Sequence, residues 1–266
     1  MGLLKRLFGG AASEKAPPPP AAPPEPAYDL RAEVEKSRAA VRVIRRNRDP
    51  LAWAEAQQLL ANALLQQAAD QTGGTARSAL EEAERVLHDA LEAADRPGTH
   101  PGFIASMTYL QGLAAFRRAD RLEGDAKGEA LADAANRFTD AQAKITPESQ
   151  RALWVELGFY RGAVFQSLAL LKGDAAGAPW LDEAAATFRA LAEQGAEDGS
   201  LNPIAAYNLH VVLLDRAKLA GAAAAGAYRA EARRWLVAAQ ESDTFRDSAD
   251  VAARLAALDA EIGASG

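Results

Sequence analysis

The chain has 266 residues, 49% of them hydrophobic, and a formal net charge of −6. It contains no cysteine, which excludes disulfides and thiolate metal sites. No apolar run approaches the roughly 20 residues of a membrane-spanning helix, and a short apolar start broken by Lys5 and Arg6 does not read as a secretory signal.

Charge is spread unevenly. Residues 1–48 carry ten Lys/Arg and five Asp/Glu, a net of +5, whereas the rest carries 20 and 31, a net of −11. This predicts a basic arm on an acidic body. Within residues 1–10, Leu3, Leu4, Leu7 and Phe8 would share one face of a short helix, with Lys5 and Arg6 beside it. Three readings stand together. The segment is an anchor for an anionic membrane surface, a docking peptide for a groove in a partner or in this chain itself, or a plain disordered tail. Arg6 stands where N-myristoylation needs Ser or Thr, so that modification is not expected. Residues 11–27 hold Pro17 to Pro20, Pro23, Pro24 and Pro26, which predicts an extended polyproline II linker.

A helical domain is predicted over residues 28–262, with residues 263–266 as a loose tail. Its first helix is read over residues 29–48. Leu30, Val34, Val41 and Ile44 recur along one side, which should pack on the first repeat of the array. Arg38, Arg42, Arg45 and Arg46 crowd the opposite flank, either as a solvated face or as a contact for anionic lipid or an acidic partner. Nucleic acid is disfavoured, because the body is acidic and no aromatics interleave with the arginines.

From Asp49 onward a pattern repeats. Asp49-Pro50, His100-Pro101, Thr146-Pro147 and Asn202-Pro203 each place a capping residue before a proline at the first helical position. Each start opens a pair of amphipathic helices. A small or crowded position comes next in each first helix: Ala61, Gly112, Gly158 and His210, at intervals of 51, 46 and 52 residues. Each second helix carries Ala, a large apolar residue four later, and Ala or Leu seven later. These are Ala83/Leu87/Ala90, Ala134/Phe138/Ala141, Ala184/Phe188/Leu191 and Ala232/Leu236/Ala239. The step from the small position to that first Ala is 22 residues in three units and 26 in the third. Helix breaks are expected at Gly73-Gly74, with Thr75 capping the next helix, and at Gly124 to Gly128. Second helices are expected over 129–145, 178–194 and 227–240, and a solitary capping helix over 245–262. Neither helix of a pair can bury its stripe alone, so the pattern predicts a stacked helical array.

The chain here resembles the tetratricopeptide repeat (TPR) family in its long-period bacterial form. Trp154-x-x-Leu157-Gly158 is similar to the family's W-x-x-L-G core, and Ala134-x-x-x-Phe138 and Ala184-x-x-x-Phe188 to its A-x-x-x-F. The resemblance spans residues 50 to 242. It departs from the family in a period well above ~34 residues, in His210 at a position usually Gly, and in Ala115 where a large ring is usual. It implies an all-α, right-handed solenoid of about four helix pairs plus a cap. It implies a non-catalytic scaffold for a protein or peptide, with a binding face on the first helices. Those positions are Glu55, Gln58 and Asn62, then Tyr109 and Phe116, then Val155 and Phe159, then Ile204 and Tyr207. The family's carboxylate-gripping Lys and Arg are missing nearby, so the implied ligand is an amphipathic helix or extended apolar peptide. The rings among these residues read equally well as core.

No catalytic or metal-binding signature stands out. His88, His100 and His210 are far apart and form no H-x-x-x-H; they read as surface, turn and packing residues. Gly73-Gly74 is not a phosphate loop, since no strand precedes it and no Gly-Lys-Ser/Thr comes after it. No cofactor is expected. The leading expectation is a cytoplasmic adaptor, brought to the inner face of a membrane by its arm. A peripheral membrane protein that mainly self-associates is the alternative, and a helical enzyme the remote one.

Overall fold

A computed structural model describes residues 29–196 and 199–264. The basic arm and the proline linker lie outside the described residues. Among those described there are ten helices and no strand. They are α1 (Leu30–Val43), α2 (Pro50–Asp70), α3 (Gly73–Ala94), α4 (Pro101–Ala119), α5 (Gly124–Gln142), α6 (Pro147–Lys172), α7 (Asp174–Gln194), α8 (Pro203–Lys218), α9 (Ala222–Gln240) and α10 (Ala249–Ala264).

The four predicted starts are all used. Asp49 Oδ1 accepts from the Ala52 amide at 3.0 Å, and Asn202 Oδ1 from Ala205 at 3.1 Å. His100 Nδ1 accepts from Gly102 at 3.1 Å. Thr146 and Ser149 close a reciprocal capping box, at 3.3 and 2.8 Å. Each side chain satisfies an amide that the first helical turn leaves open.

Several boundaries differ from expectation. The helix read over 29–48 stops at Val43, because Ile44 is extended (φ −92°, ψ 127°). The Arg45 carbonyl then accepts from the amides of Arg48 and Asp49, at 2.9 and 3.0 Å, and turns the chain. Gly73 and Gly74 are not a linker but the first turn of α3, so Thr75 lies inside that helix. α5, α7 and α9 begin four or five residues before the expected starts, and α10 four later, after Ser248. Left-handed glycines explain two of these. Gly124 (φ 54°) and Gly173 (φ 62°) reverse the chain directly into the next helix, in a conformation other residues rarely adopt.

Helices pack in sequential pairs: α2 with α3, α4 with α5, α6 with α7, and α8 with α9. The second helix of each pair lies on the first helix of the next, α1 covers α2, and α10 covers α9. First helices also touch one another, α2 with α4 and α4 with α6, whereas second helices make no contact of that extent. The second-helix triplets are all core residues.

The glycines correct the repeat spacing in the third unit. A Cβ on Gly112 would lie 2.6 Å from the Phe138 ring, and a Cβ on Gly162 would lie 2.4 Å from the Phe188 ring. Phe138 and Phe188 hold the same place in their repeats, four after the first Ala. Gly162, not Gly158, is therefore the counterpart of Ala61, Gly112 and His210. The step to the first Ala becomes 22 residues in every unit, and the intervals become 51, 50 and 48. Gly158 answers a second contact, 2.6 Å from Leu191. A mid-helix glycine costs about 1 kcal/mol relative to alanine, and close contact with the Phe188 ring at Gly162 and with Leu191 at Gly158 explains why α6 carries two.

Candidate partner-binding surface

The corrected spacing aligns the first helices. Gln58, Tyr109, Phe159 and Tyr207 each stand three residues before the small position. Gln58 Nε2 donates to Ser106 Oγ at 2.6 Å, and the Tyr109 hydroxyl donates to Glu156 Oε1 at 2.6 Å. Ser106 and Glu156 occupy the same place in successive repeats, six before the small position. The corresponding third pair is Phe159 and Ile204, apolar on both sides. In the last unit the Tyr207 hydroxyl donates to Asp250 of the cap at 3.2 Å. This row links α2 to α4, α4 to α6, and α8 to the cap.

The row is structural more than open. Tyr109 is 6% exposed and Phe116 8% exposed. Their rings gather with Phe138 and Tyr160 at centroid separations of 5.7 to 6.2 Å. Tyr109 and Phe116 therefore lie in the core and do not line an open groove. α4 is buried on most of its surface because α2, α3, α5 and α6 all pack against it. Burial, and secondarily Glu156, pushes the Tyr109 hydroxyl pKa up, and burial does the same at Tyr160. Burial lowers that of the Arg117 guanidinium, which donates to the Leu65 carbonyl. Arg121 donates to the Ala68 carbonyl at 2.7 Å, one of the acceptors left open at the end of α2. Phe159 is half-buried beside Phe188. Tyr207 is half-buried, stacked on Phe245 at 5.3 Å and edge-on to His210 at 4.7 Å.

α2 differs from α4. Leu51, Glu55, Leu59, Asn62 and Gln66 succeed one another at steps of four, four, three and four, and all are exposed. Leu51 is 39% exposed and Leu59 64%. Gln58 and Asn62, read from the sequence as groove positions, sit at the edge and in the middle of this stripe. Leu51 and Leu59 were not singled out in the sequence. Their signal is two leucines on a stripe otherwise polar, where helix amphipathicity has no use for them.

The arginine flank on α1 divides. Arg38 pairs with Glu82 at 2.5 Å and with Glu35 at 2.6 Å, which ties α1 to α3. Arg46 pairs with Glu92 at 2.8 Å and lies 5.1 Å over the Trp53 ring. These two serve the fold. Arg42 is exposed, as are Arg45 and Arg48, which come after it in the turn. Leu3, Leu4, Lys5, Arg6, Leu7 and Phe8 lie outside the described residues.

The histidines fall as read. His88 is exposed, His100 caps α4 and His210 is wholly buried. Among the described residues, no three His, Asp or Glu side chains are grouped to hold a metal ion. None of their helices is long and apolar enough to cross a membrane. No protein-family model matches the chain, and no curated protein matches it either.

Proposed function

We propose that the chain is a TPR-like, non-catalytic adaptor that takes an apolar-faced peptide or helix of a partner protein on the open face of α2. The single observation carrying this is the exposure of Leu51 and Leu59 between Glu55, Asn62 and Gln66 on a first helix. An amphipathic helix laid along such a face buries its anchors at the same spacing. Support for the TPR-like reading comes from the constant 22-residue step, the glycines that face Phe138 and Phe188 in the second and third units, and the contacts of α2 with α4 and α4 with α6. The tight packing of α4 takes that helix out of the proposed binding face.

The test is photo-crosslinking in the native cell, with a benzophenone amino acid placed at Glu55 or Asn62, and at Arg77 or Arg85 on the exposed side of α3. A discrete adduct from α2 that Leu59→Asp abolishes, and that α3 does not give, is the expected result. Equal adducts from both helices, or none from α2, would refute the assignment.

A further inference from the structure

We propose that the elbow between α1 and α2, residues 42–48, docks the folded domain onto an anionic lipid surface. The elbow is built, not loose. Val41 packs against the core, Ile44 is half-buried, and the Arg45 carbonyl holds the turn through two backbone hydrogen bonds. The exposed positions here are Arg42, Val43, Arg45, Arg46, Asn47 and Arg48, of which Arg46 is paired with Glu92. Arg42, Arg45 and Arg48 are unpaired among the described residues. Val43, the last residue of α1, is 80% exposed where the helix enters this turn.

An apolar residue at that exposure contributes nothing to the core. With three arginines unpaired among the described residues within five positions of it, it has the composition of an interfacial contact, in which a side chain enters the headgroup layer and basic residues meet lipid charge. Two nearby acids have partners of their own. Glu92 is held by Arg46, and Asp49 accepts the Ala52 amide at the start of α2. The remainder of the chain after residue 48 is net −11, so an anionic surface attracts the elbow and repels the rest. Docking thereby acquires an orientation. An acidic protein partner would satisfy the arginines but leaves Val43 without a reason, so lipid is the favoured source of charge. This site is separate from the α2 face, and either can fail without the other.

The experiment is co-sedimentation of the full chain with phosphatidylcholine vesicles, with and without about a third phosphatidylserine. Wild type should pellet only with the anionic vesicles and be released by high salt. Reversing all three charges (Arg42→Glu, Arg45→Glu, Arg48→Glu) should weaken the partition by at least about a hundredfold, at roughly fivefold for each basic residue lost. Val43→Asp should weaken it several-fold while salt release persists. Leu59→Asp, outside the elbow, should leave vesicle binding unchanged. Circular dichroism confirms that each variant is folded. Undiminished pelleting of the charge-reversed chain would overturn the inference and assign any binding elsewhere, residues 1–10 included. So would equal pelleting with neutral vesicles, or no pelleting of wild type. Binding to soluble polyglutamate that depends on the three arginines, without vesicle binding, would assign an acidic protein partner instead and overturn it equally.

Discussion

Adding one methyl group at Gly162 should reveal which residues face each other across the third repeat. A Cβ there would lie 2.4 Å from Phe188 Cζ and 2.7 Å from Cε1 and Cε2. Ring atoms at that distance must move, and overpacking of this kind costs about 1–3 kcal/mol. Alanine also gains about 1 kcal/mol over glycine in a helix. The net expectation for Gly162→Ala is a loss of about 0–2 kcal/mol. Phe188→Ala alone should cost about 3–5 kcal/mol. In that background the clash is gone and only the helix gain remains, so Gly162→Ala should then stabilise by about 1 kcal/mol. The double-mutant cycle should close with a favourable coupling of about 1–3 kcal/mol. Urea unfolding followed at 222 nm measures all four corners, compared at constant denaturant slope. A Gly162→Ala variant about 1 kcal/mol more stable in both backgrounds would place Gly162 away from the ring. The 22-residue step would then fail in the third unit.

Three further outcomes rest on named contacts. Burial lowers the pKa of His210 to about 4, against the 6.5 of a free imidazole. The unfolded chain therefore takes up a proton first as pH falls. Stability should be full above about pH 6.5 and should lose up to roughly 3 kcal/mol by about pH 4; His210→Ala should flatten that part of the pH profile, and equal slopes would contradict it. Asp49→Ala removes the cap of α2 and should cost about 1 kcal/mol, read as a lower urea midpoint. Tyr109→Phe removes the buried hydroxyl but leaves Glu156 exposed to water, so it should cost only about 1 kcal/mol; a loss above about 3 kcal/mol would mean that Glu156 is not solvated.

Helix starts were legible because each needs one capping atom at a fixed place, as at Asp49 and Asn202. The second-helix triplets were legible because burial at spacings of four and three writes itself into residue type. The third small position was misplaced for a specific reason. α6 carries glycines at both 158 and 162, one turn apart, and only the partners across the seam, Leu191 and Phe188, tell them apart. Helix starts after Gly124 and Gly173 depended on left-handed backbone that no periodicity reports. For the binding surface, the sequence pointed to aromatic residues, and the structure turned Tyr109 and Phe116 inward because α4 is enclosed by four helices. Enclosure depends on which helices pack around α4, which local pattern does not carry. The exposed leucines of α2 were visible in the sequence but look like core positions until the faces are assigned.

The most direct test of an adaptor face on α2 uses the absence of native cysteine. Single substitutions Glu55→Cys, Leu59→Cys, Asn62→Cys, Tyr109→Cys, Phe116→Cys and Arg77→Cys would be labelled with a maleimide, in the purified protein and in the native cell. Fast labelling at 55, 59, 62 and 77 in the purified protein, slowed in the cell at 55, 59 and 62 alone, with slow labelling at 109 and 116 throughout, is the predicted result. Equal rates at 59 and 62 in the cell and in the purified protein, or fast labelling at 109 and 116, would contradict it.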